Sequence, residues 1–285
     1  MDERRLEKLK EIAARAIDDA ESKLFELNQK IWKNPELAFE EKYAHGELTG
    51  FLEREGFEVT RGSYGGLDTA FRAVSGTSRK LSIGILCEYD ALPGIGHACG
   101  HNLISETGVG AAMGLKAALH AADVELGRVV VLGTPGEESL GGKIVMIGNG
   151  CFDDVDICMM AHPKPFNCIY PICLACRQVK VTYSGYASHA AAYPWEGINA
   201  LDAAVMAYNN VSVLRQQMRP SWRVHGVICN GGVKPNIIPD ETSLWFYVRT
   251  PNEDEMAVLV DKRFAKILSR PTRAYTVYVF FTICS

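Results

Sequence analysis

At 285 residues, with 47% hydrophobic and 22% charged side chains, the chain is long enough for two domains and too apolar to be disordered. Thirty basic residues against 34 acidic ones leave a formal net charge of -4, which offers no polyanion-binding surface and argues against a nucleic-acid partner. The amino terminus is charged with no apolar leader, and no run approaches the roughly 18 apolar residues of a membrane span, so a cytoplasmic protein without membrane partners is expected. Nine cysteines scattered through apolar runs suit a reducing compartment, with most thiols buried.

In chain order, residues 4–33 set Leu6, Leu9, Ile12, Ala13, Ile17, Leu24 and Ile31 at helical spacing until Asn34-Pro35 stops the pattern, which predicts one long amphipathic helix. A second helix is predicted over 39–55, closed by Gly56, and strands over 68–74 and 81–87. Gly108, Gly110, Ala111, Ala112, Gly114, Ala117 and Ala118 line a helix that must pack closely on a neighbour, before an apolar strand at 129–132. A short helix at 144–148 and a strand at 155–161 complete a βαβ-rich half, the pattern of an α/β sheet covered by helices, and residues 1–178 are read as one domain. The remainder, 179–285, reads as strand 178–184, helix 197–216, strands 223–229 and 243–249, helix 252–268 and strand 275–281, the βαββαβ order of a ferredoxin-like module.

Ligand chemistry gathers where strands end. Glu88-Tyr89-Asp90 follows one strand directly, and sheets of this class place their sites at carboxyl ends. Nine residues after Asp90, Cys99 and His101 offer a thiolate and an imidazole two positions apart in His97-Ala98-Cys99-Gly100-His101, although such a pair alone equally describes a buried thiol beside a helix-capping histidine. The next strand ends in Thr134-Pro135-Gly136-Glu137-Glu138, where one adjacent acid can bind metal while the other handles the proton of an attacking water. A third strand delivers His162. Three successive strand ends bearing ligand residues predict a catalytic divalent-metal site. Cys173 and Cys176 form a Cys-x-x-Cys without a second pair to close a tetrahedral site, so they and Cys168 are read as structural thiols. His189, after a strand, could donate to a developing oxyanion; Asn236 lies in a glycine- and proline-rich loop, and Arg249 could hold a carboxylate, although each is equally a solvated polar group.

Together these strings resemble the superfamily of zinc aminoacylases, carboxypeptidases and carnosinases, in its amidohydrolase branch, which uses a Cys-Gly-His element. The stretches 88–102, 134–143, 188–210 and 222–239 look most like the β-alanyl-lysine (Xaa-Arg) type of dipeptidase. The resemblance implies a mixed-sheet metallopeptidase domain with an inserted lid and dimerisation domain, and hydrolysis of dipeptides ending in lysine, ornithine or arginine. It makes Cys99, His101, Glu138 and His162 ligands of one or two zinc ions (or manganese or cobalt), Glu137 the general base and Asp90 an orienting group. It assigns His189 to the oxyanion, across a homodimer, and Asn236 and Arg249 to substrate. It also implies a later histidine ligand, whereas the seven histidines here end at His225, and the similarity fades after residue 268, leaving 269–285 as a divergent tail. The chain therefore reads as a C-terminally truncated member, whose alternative role is that of an inactive binding or dimerising protein.

Overall fold

The computed structural model describes residues 3–122, 126–139, 141–169, 171, 173–260, 268 and 276–284, the last by backbone alone. The long amphipathic pattern at the amino terminus resolves into two helices, α1 (Glu3–Asp18) and α2 (Glu21–Lys33), instead of the single one expected. Asp18 and Asp19 put two carboxylates at a helix carboxyl end, which the helix dipole disfavours, while Glu21 opens the next helix at its favoured end. The break lets α2 set its own stripe inward independently of α1, which buries no residue. α2 buries Leu24, Leu27 and Ile31, and α1 lies along the small-residue helix α4 (His101–Ala121). A methyl group on Gly108 would come within 2.7 Å of Cys87 Sγ and 3.0 Å of the Leu86 carbonyl oxygen, so only glycine allows α4 this close to the sheet. Helix α3 (Lys42–Arg54) begins later than its apolar pattern suggests, because Phe39 sits at φ 66, outside helical space.

The first compact unit, residues 1–167, is built on a five-stranded mixed sheet. Its strands are β1 (Glu58–Arg61), β2 (Phe71–Ser75), β3 (Ser82–Cys87), β4 (Arg128–Gly133) and β5 (Ile157–Met159), in the order β1-β2-β4-β3-β5. β3 runs parallel to β4 and β5, and β1 and β2 are antiparallel additions. This is the helix-covered mixed sheet the sequence predicts. The short edge strand β1, with almost no apolar alternation, escaped that reading. β4 is buried throughout, as Val129, Val130, Val131 and Leu132 require, and Leu48, Leu52, Phe71 and Ile31 complete the core beside it. β5 is shorter than expected and exposed along its length. Between β4 and β5 lies the short helix α5 (Gly142–Gly148).

The second unit, residues 168–285, has β6 (Ala175–Ser184), α6 (Ala200–Leu214), β7 (Arg223–Asn230), β8 (Glu241–Thr250), α7 (Glu253–Leu259) and β9 (Thr276–Cys284). Its sheet order β7-β8-β6-β9, antiparallel throughout, is the ferredoxin-like arrangement that the βαββαβ order predicts. Ala200, Ala203, Ala204, Ala207 and Val211 form the buried stripe of α6 over Val179, Val181, Leu244, Phe246 and Val248. α6 starts at Ala200, not near 197, because the Asn199 side chain accepts from the Leu201 and Asp202 amides and caps it. Asn252 caps α7 in the same way; positions 261–267 of the helix expected over 252–268 lie outside the described residues. Within the divergent tail, Thr276–Cys284 pairs with β6 along nine residues of register. Among the described residues no helix is long and apolar enough to cross a membrane. Most thiols were expected to be buried, yet among the described residues Cys158, Cys168, Cys173 and Cys229 are exposed, Cys99 is half-buried and only Cys87, Cys151 and Cys176 are buried, several of the exposed ones standing on loops and edge strands.

Candidate metal centre

The three parallel strands point their carboxyl ends the same way, with β3 between β4 and β5. Glu88 and Asp90 follow β3, Glu137 and Glu138 follow β4, and His162 follows β5. The ends are tied together. Thr134 donates its backbone N–H to the Cys87 carbonyl at 2.8 Å, and Ser105 on α4 donates its hydroxyl to the Glu88 carbonyl at 2.6 Å. Ahead of α4, Gly100 adopts φ 80, and a Cβ there would lie 2.6 Å from Pro163 Cγ. That close approach sets the Cys99–His101 turn against His162, with Cys99 Sγ 3.7 Å from His162 Nε2.

His101 is fully buried and held by Asp90, whose Oδ1 lies 2.9 Å from His101 Nδ1. The other Asp90 oxygen accepts the Glu138 backbone N–H at 2.9 Å, so this one carboxylate fixes both a histidine ring and the acidic loop. With Nδ1–H donated to Asp90, His101 presents its Nε2 lone pair to Glu88 Oε2 at 3.4 Å, Glu137 Oε2 at 3.7 Å and Glu138 Oε1 at 3.9 Å. The other Glu88 oxygen pairs with the Lys143 ammonium on α5. His101 Nε2 and Glu88 Oε2 are both buried without a hydrogen-bond partner, a costly state that a cation would relieve. Cys99, His101 and His162 offer ligand atoms within 4.8 Å of one another, as do Glu88, His101 and Glu137. A mixed sulfur, nitrogen and oxygen set of this kind fits a divalent transition metal. The two groups share one His101 lone pair, so they are parts of one centre.

The charges of the cluster suit a divalent cation. Burial, then the neighbouring Glu88 and Glu138 carboxylates, push the Glu137 carboxyl above its usual range. Burial, then Glu138 and the other two glutamates, push the Cys99 thiol up to about 12. Burial works against a charged His101, but the hydrogen bond and charge of Asp90 outweigh it and raise its pKa; Asp90 is correspondingly lowered despite its own burial. A divalent ion would reverse the first two effects.

Thus Asp90, Cys99, His101, Glu137, Glu138 and His162 come together, and two further groups, Glu88 and Lys143, join them. The sequence placed Glu88 at a strand end but assigned it no role, since nothing in Glu88-Tyr89-Asp90 says which acid points inward. In the second unit, His189 and Asn236 lie on paired loops: His189 bridges to Ile237, and Ala190 donates to the Asn236 carbonyl at 3.0 Å. His189 is exposed, and its Nδ1 accepts from the Ala191 and Ala192 amides at 3.2 Å each, which leaves Nε2–H as an outward donor. Arg249 lies at the far end of β8 from that loop, about 27 Å along the strand at ~3.4 Å per residue, with its guanidinium 5.7 Å from the Tyr247 ring centroid. Within the unit the structure gathers His189 with Asn236 and leaves Arg249 apart.

Residues 177–276 match the family model described as peptidase dimerisation domain. The chain is 54% identical to the Xaa-Arg dipeptidase of Mus musculus and 53% identical to that of Homo sapiens, in each case over 90% of this chain and 62% of the relative. It thus spans somewhat under two thirds of the length of these relatives. A Bacillus subtilis dinuclear metal-binding peptidase of the M20 family shares the fold, with a TM-score of 0.67 at 21% identity over 92% of this chain and 73% of that one.

Proposed function

We propose that the chain is a member of the M20 peptidase family and carries the metal centre of a dipeptidase that cleaves dipeptides with a basic carboxy-terminal residue: arginine, lysine or ornithine. The gathering of Cys99, His162, Glu137 and Glu138 around His101 and Glu88, whose Nε2 and Oε2 are buried without a hydrogen-bond partner, carries this reading. Cys99, His101, Glu138 and His162 would hold zinc, or manganese or cobalt, as one or two ions per subunit. When bound, the ion supplies Lewis-acid polarisation of the scissile carbonyl and acidifies water. Glu137, raised toward neutrality and partly exposed, takes the proton from the attacking water and returns it to the leaving amine. Asp90 keeps His101 in the tautomer that presents Nε2. His189 Nε2–H donates to the developing oxyanion, Asn236 and Arg249 bind substrate, and the second unit supports a homodimer, as its family match suggests. In this reading residues 1–178 form the catalytic domain and 179–285 the lid of a cytoplasmic enzyme.

A second reading rests on the dimerisation-domain match: a chain that binds or dimerises without turnover. Metal analysis and a dipeptide assay on the 285-residue chain separate the two. Bound metal with turnover that Glu137→Gln abolishes while retaining metal supports the enzyme. A metal-free dimer without turnover supports the alternative.

A further inference from the structure

The segment between α2 and α3 contributes no ligand, yet it touches both acidic loops. Glu36 caps α3 through its carboxylate, accepting from Tyr43 and Ala44 amides at 2.9 and 3.0 Å, and its backbone carbonyl accepts the Ala91 N–H at 2.8 Å, next to Asp90. Five residues on, Glu41 is 0% exposed. Its Oε1 accepts the backbone N–H of Phe39 and of Gly136, each at 2.9 Å, and its Oε2 accepts the Thr69 hydroxyl at 2.8 Å. The Thr69 carbonyl in turn accepts the hydroxyl of Tyr89, the fully buried residue between Glu88 and Asp90, at 2.6 Å. Gly136 directly precedes Glu137.

Two backbone observations show that the contact is built. Phe39 is a non-glycine residue at φ 66, a conformation that bulky side chains rarely adopt, and it is the residue whose N–H points at Glu41. Gly136, at φ 67, lies so close to the Phe39 ring that a Cβ would fall 2.6 Å from it. The strained Phe39 turn and the glycine thus seat the loop of Glu137 and Glu138 on the Glu41 carboxylate.

We infer that Glu41 is a positioning residue of the metal centre: its buried carboxylate fastens the Gly136 amide and, through Thr69, the hydroxyl of Tyr89, holding the two acidic loops in register. The inference rests on reading the strand-end cluster as a metal site, but its mechanical part does not need the ion. Geometry, not charge, is what Glu41 supplies. Glu41→Gln can accept both amides with its carbonyl oxygen and donate to a rotated Thr69 hydroxyl, whereas Glu41→Asp keeps the charge and loses the reach.

The test compares amide hydrogen exchange in the metal-free 285-residue chain with cobalt(II) titration of the same samples. The decisive amide is that of Glu138, which bonds to Asp90 and not to Glu41. Glu41→Asp is expected to speed its exchange and weaken cobalt binding about tenfold or more, and Glu41→Gln to behave like the unsubstituted chain. Thr69→Val, which preserves side-chain volume, is expected to shift both in the same direction by about threefold and serves if Glu41→Asp does not fold. Equal Glu138 exchange in all variants overturns the inference. Binding preserved by Glu41→Asp and lost by Glu41→Gln also overturns it, since that ordering is a charge effect. Altered exchange with no cobalt bound by any chain leaves Glu41 as the clamp and removes the metal reading instead.

Discussion

The two units hold their candidate functional residues in opposite ways. In the first, His101 and Asp90 are buried, bonded to one another, and backed by Ser105 on α4 and by Thr134 and Glu138 in the loop after β4. In the second, His189 and Asn236 are exposed on loops, and the partners of His189 Nδ1 lie two and three residues away. The parallel strands of the first unit deliver neighbouring ends to one place. The antiparallel sheet of the second sends Asn236 and Arg249 to opposite ends of β8. A scaffold of the first kind prepays the ordering of a metal site, while residues of the second kind await a substrate or a second subunit to give them a target.

The strongest way to break this contrast is to delete one histidine from each unit. His101→Ala strands Asp90 and Glu88 in a buried pocket and is expected to abolish metal binding and cost about 3–5 kcal/mol of stability, measured by metal content and denaturant unfolding. His189→Ala is expected to change stability by no more than about 0.5 kcal/mol and leave metal content unchanged. Equal losses would show the contrast to be false.

Metal should stabilise the first unit selectively. Zinc at about one hundred times its dissociation constant is expected to add about 2.7 kcal/mol, reversed by a chelator, with hydrogen-exchange protection rising around 88–101 and 134–138 and unchanged on α6 and β8. The affinity should also depend on pH. With its thiol pushed up to about 12, Cys99 would have to lose one proton to bind as the proposed thiolate ligand. Affinity therefore falls as pH falls, by about tenfold per unit between pH 8.5 and 6.5, and more steeply where the raised His101 pKa adds a second proton. Zinc titrations at three pH values check the slope; a flat profile would remove Cys99 from the ligand set. The smallest effect belongs to Asn236→Ala, expected to leave stability within about 0.5 kcal/mol and to appear only as a raised KM in a dipeptide assay.

Much of this was legible from residues. Val129-Val130-Val131-Leu132 reads as a buried strand, and the small-residue stripe of α4 reads as a closely packed helix face, because burial and periodicity are local properties. Ligand-type residues after three strands pointed to the site, since such strand ends are where a sheet exposes side chains to a common space. What escaped was directional or distant. The break at Asp18-Asp19 depends on which neighbours each helix packs against, and the inward aim of Glu88 depends on Lys143, 55 residues away. Glu41 looks like any acid near the start of a helix; its partner Gly136 lies 95 residues on.

By itself, then, the sequence determined most of the elements and the residue types that stand at the sheet's edge, because spacing and hydrophobicity act over a few residues. Only the tertiary structure decided which of those groups face one another. It aimed His101 Nε2 and Glu88 Oε2 into one buried space, set Glu41 beneath the acidic loop and kept Arg249 from Asn236, because strand order and close helix packing bring together residues that no local pattern relates.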